Sequence, residues 1–370
     1  MTNYISILKI VTKFPPFKYS IKELVELLGN RISDEAKDFF INSLGIDAVY
    51  HSIDYGRASL SDTAYTMPHE SLIDMYVSAA KECLEMCSVN PRQVSKLIVA
   101  NDNMQMLDPA STSEIMERLQ LAPSVMDFHL QGHACSSLAR ALSIATNLLK
   151  NDYALILIGN YYSAWFFDII KQTEKVYGPN EINSVKQRRK DFNNCNYFLQ
   201  FSDNATALLL SSADDNSIQV LTDTIVCRTG TEPADHEIAS LKLAQNVRYR
   251  AVFDMDVNTK NLRQRLMQLA NEVKIETMKK AAITDDTVKV WNLHTGGKVY
   301  VDAVREQCGI SFEKCKLTYD VMKETGNTGA SSSAILIKET MERKMLDHGE
   351  YGAVLDFGWG PKADSFLYRA

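Results

Sequence analysis

The sequence contains no long hydrophobic run, no excess of basic residues and no regular cysteine spacing. The most apolar strand-like run, residues 154–158, is far shorter than the roughly 18 residues that a membrane-spanning helix needs. The formal net charge is -6, so the overall field repels nucleic acid and anionic membranes. We therefore expect neither a transmembrane segment nor a polyanionic partner.

The seven cysteines are odd in number, and residues 1–4 show no basic segment followed by a long apolar one. Both observations predict reduced thiols in a cytoplasmic protein. The chain has 370 residues, of which 45% are hydrophobic and 23% charged, so it is long enough for two fused half-domains.

Strand-like apolar runs alternate with amphipathic helical ones, which predicts an α/β protein with buried strands. Residues 96–100 form such a run after residues 72–87, where apolar positions recur at spacings of three and four. Cys83 and Cys87 belong to the apolar face of that predicted helix.

The two halves of the chain repeat one pattern, which predicts an internal duplication. The first half places a strand around Ile98, a helix at 112–121, a small-residue turn at 132–137, a helix to Lys150 and a strand at 154–158. The second half places a strand around Val290, a helix at 301–308, a turn at 326–331, a helix to Lys344 and a strand at 353–357. Cys135 and Asn327 fall at equivalent places, so a pseudo-twofold arrangement would bring them together.

Residues 211–217 are polar and rich in turn formers, so we place the boundary there, between halves 1–212 and 213–370. Residues 168–196 are polar and carry a basic run at 186–190, and they are expected to form a surface flap between two strands. The basic run suits the phosphates of coenzyme A or an acidic carrier protein, although a solvated surface is the commoner role.

Cys135 lies between small residues at a predicted strand-to-helix turn. Unpaired backbone N–H groups and the helix dipole favour a thiolate at such a position. Most cysteines without such a setting are inert core residues, so the neighbouring motifs decide its role.

His294 and Asn327 both follow strand-like runs and stand beside glycines. A neutral imidazole and an amide can donate two hydrogen bonds to a developing enolate oxygen, as decarboxylative condensation requires. Taken singly, a histidine is more often a core group and this asparagine a turn residue. His294 is also the candidate acid/base partner of Cys135.

Together these three motifs resemble those of the thiolase-fold condensing enzymes, in the ketoacyl synthase III and chalcone-synthase-like (type III polyketide synthase) superfamily. The matching motifs are Gly-His-Ala-Cys135-Ser-Ser, His294-Thr-Gly-Gly and Gly-Asn327-Thr, in the family order. Further similar segments lie at residues 98–100, 109–112, 159, 201–205 and 358–361, so the resemblance covers nearly the whole chain.

The resemblance implies a thiolase-like five-layer αβαβα fold made of two duplicated halves, and a homodimer. It implies that Cys135 accepts an acyl group, that His294 and Asn327 hold a malonyl-type extender during decarboxylation, and that a Claisen condensation follows with ping-pong kinetics. The backbone N–H groups of Cys135 and Trp359 would form the oxyanion hole. No permanently bound cofactor is expected, and acyl-CoA or acyl-carrier-protein thioesters are the expected substrates, in fatty-acid or specialised metabolism.

The sequence departs from the family pattern at two places. Ser202 and Asn204 stand where the family usually has glycines around the aspartate Asp203, and the terminal glycine-rich loop carries Trp359 and Lys362. The acyl primer stays open between short, long and aromatic groups, with residues 161–167 and 229–251 as candidate walls.

Three other functions compete with condensation. Acyl transfer to a hydroxyl or amine is one, and Asn327 argues against it; a non-catalytic partner subunit is another, and an intact Cys135 argues against it. A zinc site is the third, because His129, His133 and Cys135 lie at spacings of four and two, and Cys83 with Cys87 would add a pair. Turn and helix-face roles account for these residues, so no metal is expected.

Overall fold

The computed structural model describes residues 4–61, 68–101, 111–182, 186–212, 217–232, 235, 239–243, 253–257 and 259–370. The strands of this part are β1 Tyr4–Lys13, β2 Phe17–Ser20, β3 Ala48–His51, β4 Val94–Ala100, β5 Met126–Leu130, β6 Tyr153–Asn160, β7 Asn204–Ser211, β8 Ile218–Thr229, β9 Ala239–Leu243, β10 Phe253–Val257, β11 Val288–Leu293, β12 Tyr351–Gly358 and β13 Lys362–Arg369. The helices are α1 Ile21–Leu28, α2 Asp34–Ser43, α3 Leu72–Met86, α4 Ser111–Leu119, α5 Ser137–Leu148, α6 Ser163–Lys171, α7 Lys186–Gln200, α8 Thr259–Ala281, α9 Lys298–Gln307, α10 Phe312–Thr325 and α11 Ser332–Glu342.

Nine strands form one sheet in the order β5-β4-β6-β7-β1-β8-β13-β12-β11. At its centre β1 and β8, the first strands of the two halves, pair antiparallel. If only the strands of this sheet are counted, each half shows its first, last, last-but-one and second strand in turn, outward from this seam. The first half adds β5 at the outer edge, for which the described part of the second half has no counterpart. The mirrored order confirms the duplicated architecture.

The core clusters show how the layers stack. One cluster joins α5 and α11 to strands of both halves, through residues such as Leu138, Ala334 and Val354. A second covers the other face of the first half with α3 and α4, and a third covers the second half with α8, α9 and α10. The strands of each half count as one layer of the sheet, so the order of layers is helix, strand, helix, strand, helix. This is the five-layer thiolase-like fold.

Helices on both faces explain the composition of the central strands. Every residue of β6 after Tyr153 is buried, and every residue of β7 before Ser211 is buried as well. Strands covered on both sides read as continuous apolar runs instead of alternating ones. These two strands are antiparallel, so β6 ends where β7 begins, and there Asn160 pairs with Asn204.

The helix expected over residues 72–87 begins and ends as the apolar spacing predicts. Ser71 caps α3 by accepting a hydrogen bond from the Asp74 N–H, and the Asp74 carboxylate accepts one from the Ser71 N–H. Cys83 lies in the core, whereas Cys87 is half-buried just after the last turn.

The surface flap expected over residues 168–196 is wrong in its second part. Helix α7 starts within the basic run but enters the core, where Cys195 and Phe198 are almost completely buried. Phe192 stacks on Phe40 of α2 with ring centroids 5.2 Å apart. Phe192, Cys195 and Phe198 recur at a spacing of three among the polar residues of this stretch. This helical spacing was the signal in the sequence that indicated a buried helix face.

The boundary between the halves, residues 213–216, lies outside the described residues, so the division into 1–212 and 213–370 stays a prediction. The halves are interlocked, because α1, α2, α6 and α7 of the first half pack in the cluster that covers the second.

Candidate active site

Cys135 lies in a single 3-10 turn, Ala134–Ser136, which leads directly into α5. Gly132 allows this turn by adopting a positive φ of 72°. The Ser136 N–H closes the turn on the His133 carbonyl at 3.0 Å, and Lys362 Nζ donates to the Gly132 carbonyl at 2.7 Å. Cys135 is therefore held half-buried at the N-terminal end of a helix, as the sequence predicts.

Gly358 ends β12 against this turn. A Cβ atom on Gly358 would stand 3.2 Å from both the backbone nitrogen and the Cβ atom of Cys135. Trp359, the next residue, thus lies in the loop beside the Cys135 backbone. That the N–H groups of Cys135 and Trp359 bind a thioester carbonyl oxygen stays a prediction.

His294 follows β11 and is 2% exposed. Its backbone N–H donates to the Leu355 carbonyl at 3.1 Å, and its ring meets the ring of Phe357 edge-on, with centroids 5.4 Å apart. A Cβ atom on Gly296 would stand 3.0 Å from Cδ2 of the imidazole, so glycine is needed there. Burial lowers the pKa of His294 to about 3, which keeps the ring neutral.

Asn327 follows α10 after Gly326, whose φ is 68°. The Asn327 N–H donates to the Gln200 carbonyl at 2.7 Å, and the Ser202 N–H donates to the Asn327 carbonyl at 2.9 Å. The side-chain oxygen of Asn327 accepts the Gly329 N–H at 2.9 Å. This bond orients the amide, so its Nδ2 group is the end that is left to donate.

The residues that follow His294 and Asn327 tie the two loops together. Thr328 N–H donates to Thr295 Oγ1 at 3.3 Å, and Thr295 Oγ1 lies 2.8 Å from Ser332 Oγ. The turn Gly329–Ser331 in turn packs against the Cys135 turn. The structure thus brings together the loops, from both halves of the chain, that carry the three predicted residues.

Residues 201–205, which include Asp203, lie beside these loops. Asp203 is fully buried and accepts hydrogen bonds from the backbone N–H groups of Ser52, Tyr162 and Ser163 at 2.7 to 3.0 Å. It therefore caps the start of α6. The family resemblance pointed to this segment, but the sequence did not indicate its hydrogen-bond partners, because only folding brings them near Asp203.

Aromatic rings line the space next to Trp359. Tyr197 and Phe201 meet the Trp359 ring edge-on, at centroid distances of 4.9 and 6.3 Å, and Tyr162 meets Phe201 at 5.0 Å. The candidate wall 161–167 thus reaches this cluster through Tyr162 and Phe166. The second candidate wall, 229–251, lies largely outside the described residues.

The candidate zinc ligands do not gather. Within the described residues, no group of three His, Cys, Asp or Glu side chains is placed to hold a metal ion. His129 Nε2 lies 3.4 Å from Asn101 Oδ1, and the buried Cys83 thiol donates to the Lys9 carbonyl. No helix of the described ranges is long and apolar enough to cross a membrane.

Comparison with known proteins adds to this geometry. Residues 278–370 match the family described as 3-oxoacyl-[acyl-carrier-protein] synthase III C terminal. Over 314 residues the chain is 22% identical to the beta-ketoacyl-[acyl-carrier-protein] synthase III of Campylobacter jejuni, an alignment that covers 82% of this chain and 84% of that protein. The chain is thus similar in sequence to the ketoacyl synthase III condensing enzymes.

Solved structures share the fold of this chain. Xanthomonas campestris OleA superposes with a TM-score of 0.79 at 17% identity, covering 100% of this chain and 99% of that one. FabH of Xanthomonas oryzae gives the same four values. A polyketide synthase of the brown alga Ectocarpus siliculosus gives a TM-score of 0.78 at 18% identity, with 100% and 99% covered.

Proposed function

We propose that the protein loads an acyl group on Cys135 and condenses it with a malonyl-type thioester, with loss of carbon dioxide. One observation carries this proposal: a neutral imidazole and an oriented amide, on two loops tied together, stand beside a cysteine turn at a helix N-terminus. Decarboxylative condensation requires stabilisation of the extender's enolate oxygen, which two neutral donors can supply, whereas acyl transfer to a hydroxyl or amine forms no enolate.

In the first half-reaction, the Cys135 thiolate attacks the thioester carbonyl and the carrier thiolate leaves. The backbone N–H groups of Cys135 and Trp359 would stabilise the tetrahedral oxyanion. Splitting the reaction at an acyl-enzyme turns one difficult step into two easier ones.

In the second half-reaction, the thioester carbonyl of the extender accepts hydrogen bonds from His294 and from Nδ2 of Asn327. The bond to the carboxylate breaks, and its electron pair becomes the enolate that these donors stabilise. The enolate carbon then attacks the acyl carbonyl, a carbon–carbon bond forms, and the Cys135 thiolate leaves. The low pKa of His294 suits this step, since a neutral ring needs no protonation change to donate.

A pocket behind the His294 loop suits the thioester carrier. It has a volume of about 260 Å³, and Gly297, Gln200 and Tyr197 are among the residues that line it. Gly297 follows His294 in the same loop, and the Gln200 carbonyl accepts the Asn327 N–H. The exposed cations Lys260, Arg263 and Lys298 stand at its rim. Cations there would attract the phosphates of coenzyme A or of a carrier protein.

We also propose that the protein is a cytoplasmic homodimer and that the exposed edge of β5 takes part in the contact. Among the strands that the structure describes, β5 pairs only with β4, and Met126 of β5 is 49% exposed. Unpaired strand edges are commonly covered by another chain. The relatives named for the acyl carrier protein support such a protein as the donor, with acyl-CoA as the second candidate.

Intact-protein mass spectrometry tests the proposal. Wild-type protein and Cys135→Ala are incubated with a panel of acyl-CoAs and then chased with malonyl-CoA or malonyl carrier protein, with Cys87→Ala as the control for another half-buried thiol. We expect a Cys135-dependent adduct that is discharged with release of carbon dioxide. Discharge only to an alcohol or an amine would establish acyl transfer, and absence of any adduct would refute the role of Cys135.

A further inference from the structure

The Asn327 turn is held by two side chains that belong to neither catalytic loop. Ser202 and Asn204 stand before and at the start of β7, and both are completely buried. They are also the two positions at which the sequence departs from the glycines expected around Asp203. Their hydrogen bonds explain why polar side chains are accommodated at this place.

Ser202 binds the chain on the N-terminal side of Asn327. Its hydroxyl donates to the Thr325 carbonyl and accepts the Tyr50 N–H at 2.8 Å. Its own N–H donates to the Asn327 carbonyl. Ser202 therefore connects β3 with the residue two before Asn327 and with Asn327 itself.

Asn204 binds the chain on the C-terminal side. Its Nδ2 group donates to the Thr328 carbonyl and to the Ser202 carbonyl, each at 3.1 Å. Because the whole environment is buried, no water competes for these carbonyls, and the bonds fix the direction of the backbone. Two side chains thus hold the carbonyls of Thr325 and Thr328, on either side of Asn327.

We propose that Ser202 and Asn204 are positioning residues that set the place of the Asn327 amide for decarboxylation of the extender. The proposal rests on the function proposed above. Asn327 takes no part in loading Cys135, so a displaced amide would slow the second half-reaction and leave the first one intact. A purely structural role would instead slow both half-reactions together.

The variants Ser202→Ala and Asn204→Ala remove the two contacts one at a time. Thr224→Ala is a matched control, because the buried Thr224 hydroxyl also donates to one carbonyl, Leu221, and accepts one N–H, Leu367. In both test variants, we expect loading of Cys135 to stay within about twofold of wild type. Release of carbon dioxide from malonyl-CoA should fall roughly 10- to 100-fold, since small displacements of catalytic groups have effects of this size.

A second readout does not depend on turnover. In protein labelled with nitrogen-15 at asparagine, the side-chain amide signal of Asn327 is identified by its loss in Asn327→Asp. This signal should shift or broaden in Ser202→Ala and in Asn204→Ala, and keep its wild-type position in Thr224→Ala. Thermal unfolding shows which variants are folded, and either test variant suffices if the other is not.

An unchanged Asn327 signal in the folded test variants would overturn the proposal, and so would equal losses in loading and decarboxylation. If the wild-type protein neither loads acyl groups nor releases carbon dioxide, the proposed function fails by itself. The Asn327 signal then decides alone whether Ser202 and Asn204 hold the amide.

Discussion

Gly358 lies in close backbone contact with Cys135. A Cβ atom at Gly358 would lie 3.2 Å from both the nitrogen and the Cβ atom of Cys135, which is closer than most such contacts in proteins. The end of β12 and the cysteine turn are therefore pressed together by their backbones. This close approach places the two predicted oxyanion donors in one another's neighbourhood.

Gly358→Ala should slow the loading of Cys135. The added methyl group has to push the cysteine turn away by a few tenths of an ångström, which disturbs donors that act over about 3 Å. We expect a fall of about tenfold or more in the rate of acyl-enzyme formation, measured by rapid-quench mass spectrometry. Gly56→Ala is the control, since a Cβ atom there meets only the side chain of Asp54. Wild-type loading in Gly358→Ala would argue against an oxyanion hole at this contact.

Asn327→Asp should separate the two half-reactions. The aspartate keeps an oxygen for the Gly329 N–H but has no donor for the enolate, and its charge repels the carboxylate of the extender. We expect normal loading of Cys135 and a decarboxylation rate about 100- to 1000-fold lower, as for removal of one oxyanion donor. Carbon dioxide release from labelled malonyl-CoA measures it. The substitution Asn42→Asp at an exposed position serves as the control. If Asn327→Asp decarboxylates malonyl-CoA as fast as this control, Asn327 does not have the proposed role.

His294 should make the protein less stable in acid. Burial lowers the pKa of the folded-state imidazole to about 3, well below its ordinary value of 6.5, so only the unfolded chain binds the proton between these values. Stability from this group is complete above pH 6.5 and is lost as pH falls towards 3. Urea unfolding at pH 7 and pH 5 should show a smaller decrease for His294→Asn than for wild type. The exposed His348→Asn should keep the wild-type decrease; equal decreases in all three proteins would contradict this prediction.

Arg140 should be required to keep Asp364 buried. The guanidinium of Arg140 donates to both oxygens of the fully buried Asp364, at 3.0 and 3.2 Å, yet burial still raises the pKa of this carboxyl to about 6. Arg140→Met removes the partner and should lower the free energy of unfolding at pH 8 by about 3 to 5 kcal/mol. Denaturant titration measures it. Adding Asp364→Asn should restore part of the loss, and a double variant as unstable as the single one would show that the ion pair is not the cause.

The pocket cations should affect binding of the thioester more than the basic run of α7 does. Arg263→Ala with Lys298→Ala should raise KM for the thioester several-fold with little change in kcat, because charges at a pocket rim act on association. Lys186→Ala with Arg189→Ala removes the same charge from an exposed helix face and is the matched control. Steady-state kinetics at two salt concentrations compare the pairs. The reverse result would move the carrier site to α7.

Residues with short-range signals were predictable from the sequence. The turn of Cys135 follows from small residues after a strand, and α3 and β6 follow from apolar spacing. The small residues around Asn327 also predict a turn, but the expected strand before it was wrong, because Asn327 follows the helix α10. These patterns depend on the periodicity of one element, so they can be recognised without knowing what packs against it.

Features that depend on distant partners were not predictable. The apolar stripe of α7 was visible in the sequence, but the core of α2 and α6 that Phe192 and Phe198 face is supplied only by the tertiary fold. The carbonyls of Thr325 and Thr328, which Ser202 and Asn204 hold, are more than 120 positions away along the chain. The neutral state of His294 likewise comes from burial, which no local motif encodes.

The seam between β1 and β8 bears on how the chain reaches its native state during synthesis. β1 leaves the ribosome before the other described strands of its sheet, yet its two neighbours are β7 and β8, which begin at Asn204 and Ile218. Until about 200 further residues have been translated, both edges of β1 lack their native partners. Contacts so distant in sequence slow folding and leave strand edges open to aggregation. The strand at the middle of the finished sheet is thus the one that needs the longest protection in the nascent chain.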